Sequence, residues 1–181
     1  MKTRRVMTVL LAVALSSILP SISVAQDDTP PPPLAAGTRA PAFVTKTVGG
    51  KTLSLKSLRG KVVLLDYWAT WCGPCRMATP TLQALHKKYA SHGLAVVGLS
   101  VDDASTVAQV KPFIKHFGMT YAVAAVPQAN GKAAAAYNAQ GIPSQYLIDK
   151  KGIVRWSQSG YSLNEKQELS KMIEKLLTEK A

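Results

Sequence analysis

The sequence predicts an α/β fold: a central mixed sheet flanked by helices, with a hairpin extension at its N-terminal end. Three observations predict it. Val62-Val63-Leu64-Leu65-Asp66-Tyr67-Trp68-Ala69 is a nearly continuous apolar run of strand length, which is how a strand covered on both faces reads. Such runs alternate with segments whose apolar residues recur at helical spacing. The chain then closes with a strand, a turn at Lys150-Lys151-Gly152 and a second strand, a hairpin pattern. At 181 residues there is room for one domain with a substantial core.

The elements follow in order. Residues 1–25 have the parts of a secretory signal: Lys2, Arg4 and Arg5, then an apolar stretch over 6–19, then Ser23-Val24-Ala25 as a small-x-small cleavage site. Export by a cleavable signal peptide to the periplasm or another extracytoplasmic space is expected. An N-terminal membrane anchor is the alternative, although the apolar stretch is shorter than the roughly 20 residues of a span and Pro20 follows it. Residues 26–36, with prolines at 30–33, favour polyproline geometry and form a spacer. The folded domain occupies 37–181. Segments 43–48 and 52–55 flank Gly49-Gly50 as a hairpin with a two-residue turn, and 57–60 adds one helical turn.

After the central strand, Ala78, Leu82, Leu85 and Tyr89 mark a helix that ends at Gly93 and that Pro80 is expected to kink. A second central strand covers 94–101. Asp103 reads as the N-cap of a helix carrying Val107, Val110, Ile114 and Phe117, with Pro112 inside it. A strand at 120–126, a short helix at 132–137 and strands at 145–148 and 153–158 come next. Leu169, Met172, Ile173, Leu176 and Leu177 form the apolar face of the last helix.

Both cysteines of the chain lie in Trp71-Cys72-Gly73-Pro74-Cys75, where the central strand gives way to a helix. A disulfide closing so short a loop would add little stability, so the pair points to thiol–disulfide exchange. Cys72, at the helix N-terminus, has unsatisfied amide groups and the macrodipole favouring its thiolate; it is the expected nucleophile, and Cys75 the more buried resolving thiol. Zinc needs four ligands and no further cysteine exists, so no metal is expected. Trp68 is expected in the core, and His86, His92 and His116 facing solvent. The chain carries 22 Lys and Arg against 10 Asp and Glu, a net charge of +12. That balance reads as a solvated basic surface, without the interleaved basic and aromatic clusters of a nucleic-acid binder.

These residues resemble the thioredoxins. Leu65-Asp66-Tyr67-Trp68-Ala69-Thr70-Trp71-Cys72-Gly73-Pro74-Cys75 is similar to their active-site segment, and Gly141-Ile142-Pro143-Ser144 to their cis-proline loop. Gly37-Thr38-Arg39-Ala40-Pro41-Ala42-Phe43, Leu58-Arg59-Gly60-Lys61-Val62-Val63-Leu64 and Tyr146-Leu147-Ile148-Asp149 before Gly152 resemble the exported TlpA/ResA-like branch. The resemblance runs from Gly37 to the end. It implies a thioredoxin-like fold and a cell-envelope thiol:disulfide oxidoreductase that reduces disulfides of exported proteins through Cys72 and Cys75, with no cofactor beyond that redox-active disulfide.

The same resemblance implies that Asp66, its pKa raised by burial, takes the Cys75 proton. It implies a cis bond between Ile142 and Pro143 facing the cysteines, with the Ile142 backbone pairing to an extended substrate segment. Trp71 would cover the cysteines and touch the substrate, and Gly73-Pro74 matches the dipeptide of reducing thioredoxins. The chain also departs from the pattern. Ala78 stands where some ResA-like cytochrome c maturation reductases have glutamate, Asp66 where much of the exported branch has asparagine, and Ser144 where threonine is commoner. The lysine that accompanies the aspartate in thioredoxins has no counterpart, its position falling near Gly98.

The implied partners are disulfide-containing exported proteins and, because that compartment is oxidising, a membrane electron-donor protein. A monomer without a nucleic-acid partner is expected. The alternatives are an assembly factor that reduces or holds a copper metallochaperone or a cytochrome c apoprotein, and a peroxiredoxin-like peroxidase.

Overall fold

The computed structural model describes residues 32–126 and 132–180. The expected signal segment and the first part of the spacer lie outside the described residues. Among them the elements run β1 (Val44–Lys46), β2 (Thr52–Ser54), β3 (Val62–Trp68), α1 (Gly73–Tyr89), β4 (Leu94–Ser100), α2 (Val110–His116), β5 (Ala122–Ala125), α3 (Lys132–Ala136), β6 (Ser144–Ile148), β7 (Val154–Ser159) and α4 (Glu165–Thr178). None of the described helices is long and apolar enough to cross a membrane.

Every residue of β3 is buried, which is why its apolar run is continuous. It occupies the centre of a five-stranded sheet ordered β5-β4-β3-β6-β7, with β3, β4 and β5 parallel and β6 and β7 antiparallel. The two parallel steps, β3 to β4 and β4 to β5, move the same way across the sheet. Right-handed crossovers therefore put α1 and α2 on one face, where α4 packs beside α1. The opposite face is built on three tyrosines. Tyr67 and Tyr146 meet Tyr137, just beyond α3, with ring centroids 5.7 and 5.0 Å away. Tyr137 donates to the Pro41 carbonyl at 2.8 Å, tying the entry segment down.

Backbone from the N-terminal part of the chain lies along both edges of this sheet. The Gly37 amide donates to Val154 of β7 and the Val154 amide to Thr38, both at 2.8 Å. On the far side Thr47 bridges to Ala124 of β5, and the Val48 amide donates to Val123 at 2.8 Å.

Three expectations are corrected: the turn of the first hairpin, the cap of α2 and the setting of His86. The hairpin of β1 and β2 is joined by residues 47–51 rather than by two glycines: the Thr47 amide donates to Lys51 at 2.8 Å, and Gly50 takes the positive φ of +83° that closes the turn. Pro80 lies inside α1, where its ring removes the bond to the Arg76 carbonyl, and the buried Ala78, Leu82, Leu85 and Tyr89 hold both halves of the helix to the core. Asp103 does not cap α2. Its carboxylate accepts from the Ser105 and Thr106 amides, winding a tight turn, and α2 starts only at Val110. His86 is half-buried rather than solvent-facing, 6.0 Å from the Tyr121 ring, and burial pushes its pKa down.

Candidate active site

The cysteine turn is held by the strand ends behind it. Asp102, just past β4 and wholly buried, accepts from the Thr70 amide at 3.0 Å, the Thr70 hydroxyl at 2.6 Å and the Ser100 hydroxyl at 2.7 Å. Thr70 is thereby fixed, and with it the entry to Trp71-Cys72. Cys72 is the N-cap residue of α1, in extended backbone, and its sulfur accepts the Cys75 amide at 3.1 Å. That contact replaces the serine or aspartate oxygen that usually caps a helix, and it favours negative charge on sulfur. Gly73 and Pro74 fill the first two helical positions, where the missing proline N–H costs no hydrogen bond.

The two sulfurs are bonded at 2.05 Å. Cys75 is the more buried cysteine, at 1% exposure against 5% for Cys72. Across from them the peptide bond between Ile142 and Pro143 is cis, and the Ile142 carbonyl oxygen lies 3.6 Å from the Cys72 sulfur. Trp71 is 62% exposed, its ring available to a partner, whereas Trp68 is buried against Phe113 at 4.6 Å between ring centroids. Beside Trp71 a groove of about 420 Å³ runs past Thr70, Arg76, Phe113 and His116. The Arg76 guanidinium sits on its wall, 5.4 and 5.2 Å from the Phe113 and Phe117 ring centroids.

Asp66 lies in the middle of the sheet at 2% exposure, on the face that α1, α2 and α4 cover. Strand pairing sets its neighbours: Gly98 of β4 on one side and Gln145 of β6 on the other, with Gln158 of β7 beyond. A Cβ at position 98 would lie 2.9 Å from the Trp68 Nε1 and 3.3 Å from the Tyr121 ring. The place where thioredoxins carry a lysine is thus filled by two aromatic side chains and has no cation. Burial, and after it the neighbouring Glu165, raise the Asp66 pKa from the usual carboxylate range to about 8, against the opposing pull of the Gln145 amide.

Gln145 and Glu165 belong to this site, and the sequence reading passed over both. Glu165, the first residue of α4, is 1% exposed and accepts from Gln145 Nε2 at 3.3 Å. Burial raises its pKa also. The signal was present. Glu165 precedes Leu169 and Ile173 at intervals of four, placing a carboxylate on the apolar stripe of the helix, and Gln145 leads directly into the apolar run Tyr146-Leu147-Ile148.

Comparison with known proteins agrees with this geometry. The model of the AhpC/TSA family matches residues 36–157. Thioredoxin-like protein YneN of Bacillus subtilis (strain 168) is 37% identical over 120 residues, 66% of this chain and 68% of YneN. Thiol-disulfide oxidoreductase ResA of Bacillus anthracis is 36% identical over 118 residues, 65% of this chain and 66% of ResA. The match therefore spans about two thirds of these relatives. Among solved structures, a Chlorobium tepidum protein assigned as the thiol:disulfide interchange protein DsbE superposes with a TM-score of 0.72 at 31% identity, covering 80% of this chain and 99% of that one. Strand order, cysteine turn and relatives converge, and the chain belongs to the AhpC/TSA family as one of its thioredoxin-like thiol-disulfide oxidoreductases.

Proposed function

We propose that the protein works as a reductant in the cell envelope, passing two electrons to disulfides of exported proteins. The observation that carries this reading is the Cys72 sulfur, capped by the Cys75 amide at the start of α1 and facing the Ile142 carbonyl. In the reduced enzyme the same position, a helix N-terminus with an amide aimed at the sulfur, favours the Cys72 thiolate. That thiolate attacks one sulfur of a substrate disulfide; the substrate S–S bond breaks, and the other sulfur departs as a thiolate that takes a proton. Cys75 then gives its proton to Asp66 and attacks Cys72 in the mixed disulfide. The second substrate thiolate leaves, and the enzyme closes as the bond between Cys72 and Cys75.

The substrate segment lies extended along Ile142 and Pro143, its backbone pairing with Ile142, while Trp71 contacts its side chains and Gly73-Pro74 lets it approach. Location rests on the signal features of residues 1–25 and on the likeness to ResA and DsbE. In an oxidising compartment the disulfide must be reopened by a membrane electron-donor protein. A reduction potential near about −270 mV supports this direction, and one near about −120 mV makes the enzyme an oxidant instead.

The decisive experiment is trapping. Cys75→Ser cannot resolve the mixed disulfide, so in cells it accumulates covalent adducts with exported proteins; an absence of adducts removes the reading. For Asp66, stopped-flow reduction of a disulfide at pH 7 is the check, and an Asp66→Asn enzyme as fast as wild type ends its role as base.

A further inference from the structure

The acidic group behind the cysteines is not solitary. Asp66 on β3, Gln145 on β6 and Glu165 on α4 form one buried cluster, joined by register and by the bond from Gln145 Nε2 to Glu165 Oε1. Asp66 Oδ1, Gln145 Oε1 and Glu165 Oε2 are all buried oxygens with no side chain donating to them. The cluster thus holds two carboxyl groups around one amide, a surplus of acceptors that disfavours ionising both carboxyls together. The two carboxyls differ in support. Glu165 stands in the first turn of α4, where the helix dipole favours the charged form, and Asp66 sits in mid-strand with no such help.

We propose that Glu165 is a positioning residue for the resolving step: clamped by Gln145, it keeps a negative charge beside Asp66 and so makes Asp66 the stronger base toward the Cys75 thiol. This rests on Asp66 acting as the proton acceptor. On closure, the Cys75 proton passes to the Asp66 carboxylate as the Cys75 sulfur bonds to Cys72 and the substrate thiolate departs. When a donor thiolate reopens the disulfide, the Cys75 thiolate leaves and takes the proton back. Other titratable groups face the cluster. Tyr121, ahead of β5, is held neutral by burial and by the Asp66 charge, and His86 on α1 packs on its ring. On α4, Glu168 is exposed and adds a weaker negative field at Glu165.

The test is the titration midpoint of Asp66 in the oxidised protein, read from its carboxyl carbon by NMR and assigned by the loss of that signal in Asp66→Asn. Glu165→Gln is expected to lower the midpoint by about one pH unit or more. The acid limb of the resolving step should move down with it, while the alkylation profile of Cys72 stays in place. Glu165→Asp, which retains the charge, is expected to keep most of the elevation. An unchanged midpoint in Glu165→Gln, or an equal fall in Glu165→Asp, overturns the proposal. If Glu165→Gln does not fold, Glu165→Met reads the same loss of charge. A wild-type rate in Asp66→Asn would sink the general-base role, whereas the midpoint tests the coupling of the two carboxyls whichever way that experiment falls.

Discussion

Two aspartates are buried at neighbouring strands, Asp66 within β3 and Asp102 just past the end of β4, and they are treated in opposite ways. Asp102, just beyond β4, accepts three hydrogen bonds from Thr70 and Ser100, with oxygens shared between backbone and hydroxyl donors. Asp66, in β3, has an unpartnered Oδ1, a carboxyl neighbour in Glu165 and a glycine where a cation could stand. Donors aimed at a carboxylate offset its desolvation and turn it into a fixed point of the structure. Withholding them leaves a carboxyl whose pKa is raised to about 8, within the range where it can take up or release a proton near neutral pH. The difference shows that burial alone does not give an aspartate its job; the donors around it do.

The strongest way to break the comparison is Asp102→Ala. It strands the Thr70 amide and two hydroxyls and releases the turn before Cys72, so urea unfolding should show a loss of about 4 kcal/mol. If Asp66→Ala is the costlier of the two, the roles assigned to the aspartates are reversed.

Asp66→Asn comes next and acts in the other direction. The folded pKa of about 8 lies above the unfolded value of 3.8, so the folded state binds more protons between those limits. Stability from this group is fully present below about pH 4 and is lost as the pH rises through about 8. The variant should flatten that decline and be more stable than wild type at pH 8, by on the order of 3 kcal/mol. Denaturant titrations from pH 4 to 9 check it, and parallel curves for variant and wild type would contradict it. The smallest effect belongs to Gly98→Ala. Its Cβ would press on Trp68 and Tyr121 beside Asp66, costing about 1–3 kcal/mol in a thermal melt; a neutral outcome would mean that the space beside Asp66 is not tightly filled.

Much of this architecture was legible because its signals are local. The apolar run of β3, the spacing of Leu169, Ile173 and Leu176 in α4, and the turn before β7 each declare their element within a few residues. The cysteine pair and Pro143 were legible for the same reason. What escaped depends on register. Gln145 matters because the pairing of β3 with β6 puts it opposite Asp66, and Glu165 because α4 packs against that row; no window of sequence contains either fact. The start of α2 was misread because Asp103 spends its carboxylate on a turn, and a capping signature looks the same in both settings. His86 was misjudged because Tyr121, 35 positions along the chain, closes over it.

The strips of chain along β7 and β5 carry one more consequence. A bare outer strand invites a second polypeptide to extend the sheet, which is how many small β-containing proteins stick to one another. Here residues 37–39 and 47–48 occupy those positions on either side. Those two edges are thereby closed to a second polypeptide where the chain's own backbone lies against them, while the Ile142 carbonyl stands away from both, 3.6 Å from the Cys72 sulfur.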